Sequence, residues 1–309
     1  MMAGPDLTTE FLGLTLRTPV FAASGTFGYG EEFAKHYDLS KLGAIIVKSL
    51  TLAPRPGNAP HRIVETAAGM LNSIGLQNIG VDAFIKDKWP WLKRQNVPVF
   101  ANVAGSTMEE YEQVCAKLNG AEGLAGIELN ISCPNVKAGG MEFGVNPGLA
   151  EEVTKRSKGA FGGRMIVKVS PNVTNIAEIA KAAEAGGADA ISAVNTFLGM
   201  AVDVKGRKPI LTTTFGGLSG PAIKPLALRC IWQVAGAVKI PVLGLGGILT
   251  GEDAAEFLLA GASAIAVGTA NFLDPVAAIA VTDGLAAVMG REGFRTIAAM
   301  TGAARRPVQ

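Results

Sequence analysis

The sequence predicts an α/β fold closed as a (β/α)8, or TIM, barrel with long loop insertions over its carboxyl-terminal mouth. Three observations carry that reading. Eight short apolar runs rich in β-branched residues recur along the 309 residues. Helix-like segments separate most of them, and such alternation implies a parallel sheet whose strands are buried on both faces. Each apolar run ends in polar residues or glycine, at the end of the strand where barrels of this kind gather their sites.

In chain order the strands fall at 19–23, 44–48, 97–103, 126–130, 165–169, 190–194, 241–244 and 264–267. Each is a short, continuous apolar run, the pattern of a strand covered on both sides. Helical periodicity marks 108–118, 147–158, 176–185, 221–238, 251–260 and 275–289. The returns Gly187-Ala188-Asp189 and Gly261-Ala262-Ser263 carry the glycine expected where a helix hands back to a strand. Two connections exceed a plain barrel's needs. Residues 49–96 hold Pro54, Pro56 and Pro60, and 195–220 are rich in glycine and threonine. Long loops in a compact domain usually carry function, and both are expected to cross the mouth. No composition shift divides the chain, so 1–309 read as a single domain.

Hydrophobic residues make up 49% and charged residues 17% of the chain, enough apolar material for a large core and too much for disorder. A net charge of +2 without a basic run gives no nucleic-acid footprint. No apolar run reaches the roughly 20 residues of a membrane span. Residues 1–17 show no signal-peptide pattern. Cys115, Cys133 and Cys230 lie far apart with no Cys-x-x-Cys, which fits a reducing, cytoplasmic setting.

The strand ends present Ser24, Lys48-Ser49, Asn102, Asn130, Lys168, Asn195-Thr196, Gly246-Gly247 and Gly268-Thr269 to one mouth. Glycines after strands seven and eight let backbone N–H groups approach a phosphate. Lysines inside apolar strands need an anionic or hydrogen-bonding partner. Lys48 and Lys168 therefore either form a Schiff base, as in a barrel lyase, or stabilise charge on an electron-rich cofactor. His36 and His61 lie away from the strand ends, which leaves Cys133 as the proton acceptor at the mouth. The alternative for Cys133 is a small packing thiol in a barrel without catalysis. Gly139-Gly140 suggest that its loop serves as a lid.

Four stretches, Asn130-Ile131-Ser132-Cys133-Pro134-Asn135, Asn72-Ser73-Ile74-Gly75-Leu76-Gln77-Asn78, Lys48-Ser49 and Gly217-Leu218-Ser219-Gly220, together resemble the dihydroorotate dehydrogenases, flavin enzymes of pyrimidine synthesis. Cys133 is similar to the base of class 1 enzymes; class 2 carries serine there. Gln77 and Val136-Lys137-Ala138-Gly139-Gly140 resemble class 1B, the NAD-linked type, more than fumarate-using class 1A. The resemblance implies that FMN is held by Ser24, Lys48, Ser49, Asn102, Asn130, Lys168, Val194, Gly220, Gly246, Gly247, Gly268 and Thr269. It implies that dihydroorotate is held by Lys48, Asn72, Ser73, Ile74, Gly75, Leu76, Asn130, Asn135, Asn195 and Thr196. Cys133 would take the C5 proton while hydride leaves C6, and Lys168 would stabilise the reduced flavin. No metal is implied. The family also implies a homodimer within a heterotetramer, whose second subunit carries FAD and an iron–sulfur centre. A fumarate-using class 1A enzyme and a flavin-dependent reductase of free pyrimidine bases are the alternatives.

Overall fold

The computed structural model describes residues 4–132 and 143–306. Eight parallel strands close a barrel in strict chain order: Val20–Ala22, Ala44–Ile46, Val99–Val103, Gly126–Asn130, Met165–Lys168, Ala190–Ala193, Val242–Leu245 and Ala264–Val267. All eight predicted strands are present, several one or two residues shorter than their apolar runs. Six helices lie at the predicted places: Met108–Leu118, Pro147–Ala160, Ile176–Ala185, Lys224–Ala235, Gly251–Leu259 and Ala277–Arg291. The segment expected at 221–238 begins as a 3-10 turn, Pro221–Ile223, and its helix stops before Gly236.

Side chains alternate across each strand, and this period sorts the barrel. Val20, Ala22, Ile45 and Val47 point outward into the strand–helix core. Phe21, Ile46, Phe100, Ile166 and Leu243 point inward and pack together at the amino-terminal end. Two residues further along the same strands, the inward positions become Lys48, Asn102 and Lys168. The polar site is the next layer of the same alternation.

An antiparallel hairpin, Thr9–Phe11 with Leu14–Leu16, belongs to the inward cluster through Phe11 and Leu16. Its turn uses Leu12 and Gly13 at positive φ, the geometry of a tight two-residue hairpin. Phe11 meets Phe21 edge to face at 5.4 Å, so the hairpin caps the end of the barrel remote from the site.

The two long connections differ from the loops expected. Residues 49–96 contain a hairpin, Ile63–Thr66 with Gly69–Asn72, and a helical stretch from Val81 to Leu92. Residues 195–220 contribute Phe197–Gly199 and Gly216–Ser219. Gly216–Ser219 pairs with Gly69–Asn72, so both connections join in one four-stranded antiparallel sheet.

Candidate active site

A pocket opens among the carboxyl ends of the strands. Strand one brings Ser24, strand two Lys48 and Ser49, strand four Asn130 and strand five Lys168. Val194, Asn195 and Thr196 follow strand six; Gly246 and Gly247 follow strand seven; Gly268 and Thr269 follow strand eight. The excursion sheet adds Asn72, Ile74, Gly75, Leu76 and Gly220. Asn102 and Ser73 lie beside this wall. Asn102 is fully buried, and its Nδ2 donates to Glu128 Oε2 at 2.5 Å. Ser73 donates its backbone N–H to the Arg62 carbonyl, and its hydroxyl is buried without a partner. Cys133 and Asn135 lie outside the described residues, as do Gly139 and Gly140.

The amides are oriented by their neighbours. Asn130 Oδ1 accepts from the Ser132 backbone N–H at 3.2 Å, from Ser132 Oγ at 2.7 Å and from Asn195 Nδ2 at 3.5 Å. Its oxygen is thereby occupied, and Asn130 offers N–H groups to the pocket. Tyr111 fixes the same strand end by donating its hydroxyl to the Asn130 carbonyl at 2.7 Å. Asn195 Nδ2 also donates to Ser132 Oγ at 2.6 Å. Asn72 Nδ2 donates to the Gly217 carbonyl at 3.3 Å, so Asn72 turns its oxygen free. The wall thus presents both donors and acceptors.

The Asn72-to-Asn78 loop is built to bring backbone close to a ligand. Gly75 has φ +77°, and a Cβ there would stand 2.6 Å from Asn58 Cγ. Asn58 Nδ2 donates to the Ser73 carbonyl at 2.8 Å, and Arg62 Nη2 donates to Gln77 Oε1 at 2.6 Å. Asn78 Oδ1 accepts from the backbone N–H groups of Thr51 and Gly80. These contacts hold the loop's shape from behind.

At the opposite end, Gly247 has φ +81°, and a Cβ would stand 2.8 Å from the Gly220 carbonyl oxygen. A Cβ on Gly268 would meet one protein atom within 4 Å, Ala23 Cβ at 3.7 Å. Thr269 Oγ1 donates to Ser219 Oγ at 2.8 Å, tying this end to the excursion sheet. The arrangement is a glycine cradle open toward the pocket, suited to a phosphate.

The two lysines differ in setting. Lys168 is 6% exposed, lies 4.0 Å from Glu128 Oε2 and donates to Ser24 Oγ at 3.5 Å. Burial, with the nearby Arg62 charge, holds the Lys48 ammonium below the usual lysine range. Burial pushes the Cys115 thiol up to about 12, and Cys230 is raised by burial too. Both sit in helices and face the core, so neither is a nucleophile for this pocket.

Glu128, Ser192 and Ser219 escaped sequence reasoning as members of this centre. Glu128 stands within the apolar run of strand four, yet only the barrel register sets it beside Asn102. Ser219 carried a faint signal through the Gly217-to-Gly220 stretch. Ile63, Met70 and Phe272 also line the pocket and carried none.

The family model for dihydroorotate dehydrogenase matches residues 6–289. The catalytic subunit of dihydroorotate dehydrogenase B (NAD(+)) from Geotalea uraniireducens is 54% identical over 302 residues, covering 98% of this chain and 99% of that protein. The protein of the same name from Citrifermentans bemidjiense is 57% identical over 277 residues, covering 90% and 91%. A third, from Geobacter sulfurreducens, is 53% identical over 302 residues, covering 98% and 99%.

Proposed function

The chain belongs to the dihydroorotate dehydrogenase family, and on that premise we propose that it oxidises (S)-dihydroorotate to orotate in pyrimidine biosynthesis with FMN as cofactor. The observation that carries the reading is one pocket holding two lysines, amides of both polarities and a glycine cradle. The relatives' names favour NAD+ over fumarate as the final acceptor.

The residues fit FMN on two counts. Asn102 Oδ1 is buried without a partner, an acceptor that a ring N–H would satisfy. In the cradle of Gly220, Gly246, Gly247, Gly268 and Thr269, Gly268 leaves room that a side chain would enter, while a Cβ at Gly220, Gly246 or Gly247 would strike protein atoms, so only glycine allows the tight backbone there. Bound there, FMN would supply the two-electron acceptor for the hydride leaving C6 of the substrate. Ser24, Lys48, Ser49, Asn130, Val194 and Lys168 complete its site in this reading, with Lys168 placing a buried cation beside it.

Dihydroorotate carries a carboxylate and a ring of alternating N–H and carbonyl groups. Lys48 and the backbone of the Asn72-to-Leu76 loop, Ser73 included, would receive the carboxylate. Asn72, Asn130, Asn135, Asn195 and Thr196 would match the ring edge, since amides donate and accept together. Cys133 would take the proton from C5, and its loop would exclude water. We read 1–309 as one domain with this single task.

The relatives are named catalytic subunits, which supports a partner electron-transfer subunit. We propose that the partner carries FAD and an iron–sulfur centre, because three separated cysteines cannot supply a cluster's four thiolates. A homodimer core and a cytoplasmic location complete the proposal. No helix among the described residues is long and apolar enough to cross a membrane. The test is an anaerobic absorbance titration with dihydroorotate, run beside Cys133→Ser. A flavin spectrum that bleaches quickly, and far more slowly in the variant, is expected. A chain that binds no FMN, or whose flavin stays oxidised, would refute the reading.

A further inference from the structure

Glu128 has no part in the chemistry above, yet its side chain is 0% exposed and stands at the centre of the barrel's polar layer. Its carboxylate accepts from Asn102 Nδ2 on strand three at 2.5 Å and from Ser192 Oγ on strand six at 2.8 Å. Lys168 on strand five lies 4.0 Å from the same carboxylate and reaches Ser24 beyond strand one. Three polar groups from three other strands thus meet at this one side chain, and Lys168 extends the network to Ser24. Buried charge is costly, and an apolar residue would fill the position with less penalty, as Ile166 and Ala190 do one layer below.

A carboxylate does two things there that an apolar group cannot. As a pure acceptor it turns the Asn102 amide nitrogen toward itself, which leaves Asn102 Oδ1 buried, unpartnered and available. It also sets a negative charge against the Lys168 ammonium and offsets part of the positive field at the pocket floor.

We propose that Glu128 is a positioning residue for the cofactor site, fixing which end of the Asn102 amide is offered and tuning the electron affinity of the flavin through Lys168. The inference rests on the FMN reading given above. Glu128→Gln keeps the shape and removes the charge. A reduced flavin gains negative charge, so the variant should favour it over the oxidised form.

The experiment uses the full chain loaded with FMN. Titration of the wild type with FMN comes first; a wild type that binds none overturns the functional reading and this inference with it. The potential of the bound flavin is then read anaerobically against an indicator dye. In Glu128→Gln the reduced form should gain about tenfold over the oxidised form, a positive shift of about 30 mV for two electrons. FMN itself should bind about tenfold more weakly, because a glutamine no longer dictates the Asn102 orientation. A purely structural Glu128 would lower the melting temperature of the flavin-free chain and leave the potential unmoved, and that outcome overturns the proposal. If Glu128→Gln yields no soluble protein, Ser192→Ala serves instead. It withdraws one donor from the carboxylate and should move the potential negative; an unmoved or more positive value overturns the proposal.

Discussion

Two glycine-to-alanine changes in the cradle should separate ligand space from protein strain. At Gly247 the backbone has φ +81°, and the new methyl would sit 2.8 Å from the Gly220 carbonyl oxygen and 2.9 Å from the Lys224 backbone nitrogen. Neither neighbour is a flexible side-chain end. Left-handed backbone costs an L-residue about 1–2 kcal/mol, and the overlap brings the total to about 3 kcal/mol. Gly247→Ala should therefore lower the melting temperature of the flavin-free chain by roughly 5 °C and weaken FMN binding as well. At Gly268 the φ is ordinary, and the methyl meets only Ala23 Cβ, at 3.7 Å. Gly268→Ala should leave the flavin-free melting temperature within about 1 °C of wild type, since it creates no strain. It should still weaken FMN binding by about a hundredfold, because the methyl enters the space assigned to the phosphate in the proposed FMN site. Calorimetry without flavin and fluorescence-quenching titration with FMN read the two effects. Gly268→Ala binding FMN within about threefold of wild type would refute the cradle assignment. A flavin-free melting temperature that falls as far as that of Gly247→Ala would refute the geometric reasoning.

Lys48, whose ammonium is held below the ordinary range by burial and then by Arg62, binds its proton less tightly folded than unfolded. Its burial therefore costs stability at low and neutral pH, and the cost fades as pH rises from the folded toward the unfolded value. Lys48→Met should raise the neutral-pH melting temperature of the flavin-free chain by about 2 °C while abolishing flavin reduction by dihydroorotate; a lower melting temperature would contradict this. Asn195→Ala, which removes the 2.6 Å donor to Ser132, should raise the KM for dihydroorotate about tenfold with FMN affinity unchanged, as steady-state and binding assays would show. Cys115, with its thiol pushed up to about 12, should stay unlabelled by iodoacetamide at pH 8 until the chain unfolds, checked by peptide mass mapping.

The barrel was legible because its strands are covered on both faces. Such strands write unbroken apolar runs into the sequence, and the run from Gly126 to Asn130 keeps its predicted bounds. The excursion sheet was illegible for the opposite reason. Its strands are three or four residues long and carry Gly69, Gly199, Gly216 and Gly217, which have little strand preference. The pairing of Gly217 with Asn72 joins residues 145 positions apart, so no local signal could announce it. The amino-terminal hairpin was missed on similar grounds, with three residues per strand.

The site divides along the same line. Lys48 and Lys168 were found because each stands two residues beyond an inward apolar residue, Ile46 and Ile166, and a charge in that position violates the pattern around it. Glu128 breaks the pattern too, but its meaning lies in partners 26 and 64 residues away, set beside it by the register of strands three and four and by the curvature of the barrel wall. A periodic sequence can therefore say which residues face inward, while register and curvature decide which of them touch. Function at this mouth depends on both: the strands supply the polar layer, and register turns it into a network with a free acceptor at Asn102 and a balanced charge at Lys168.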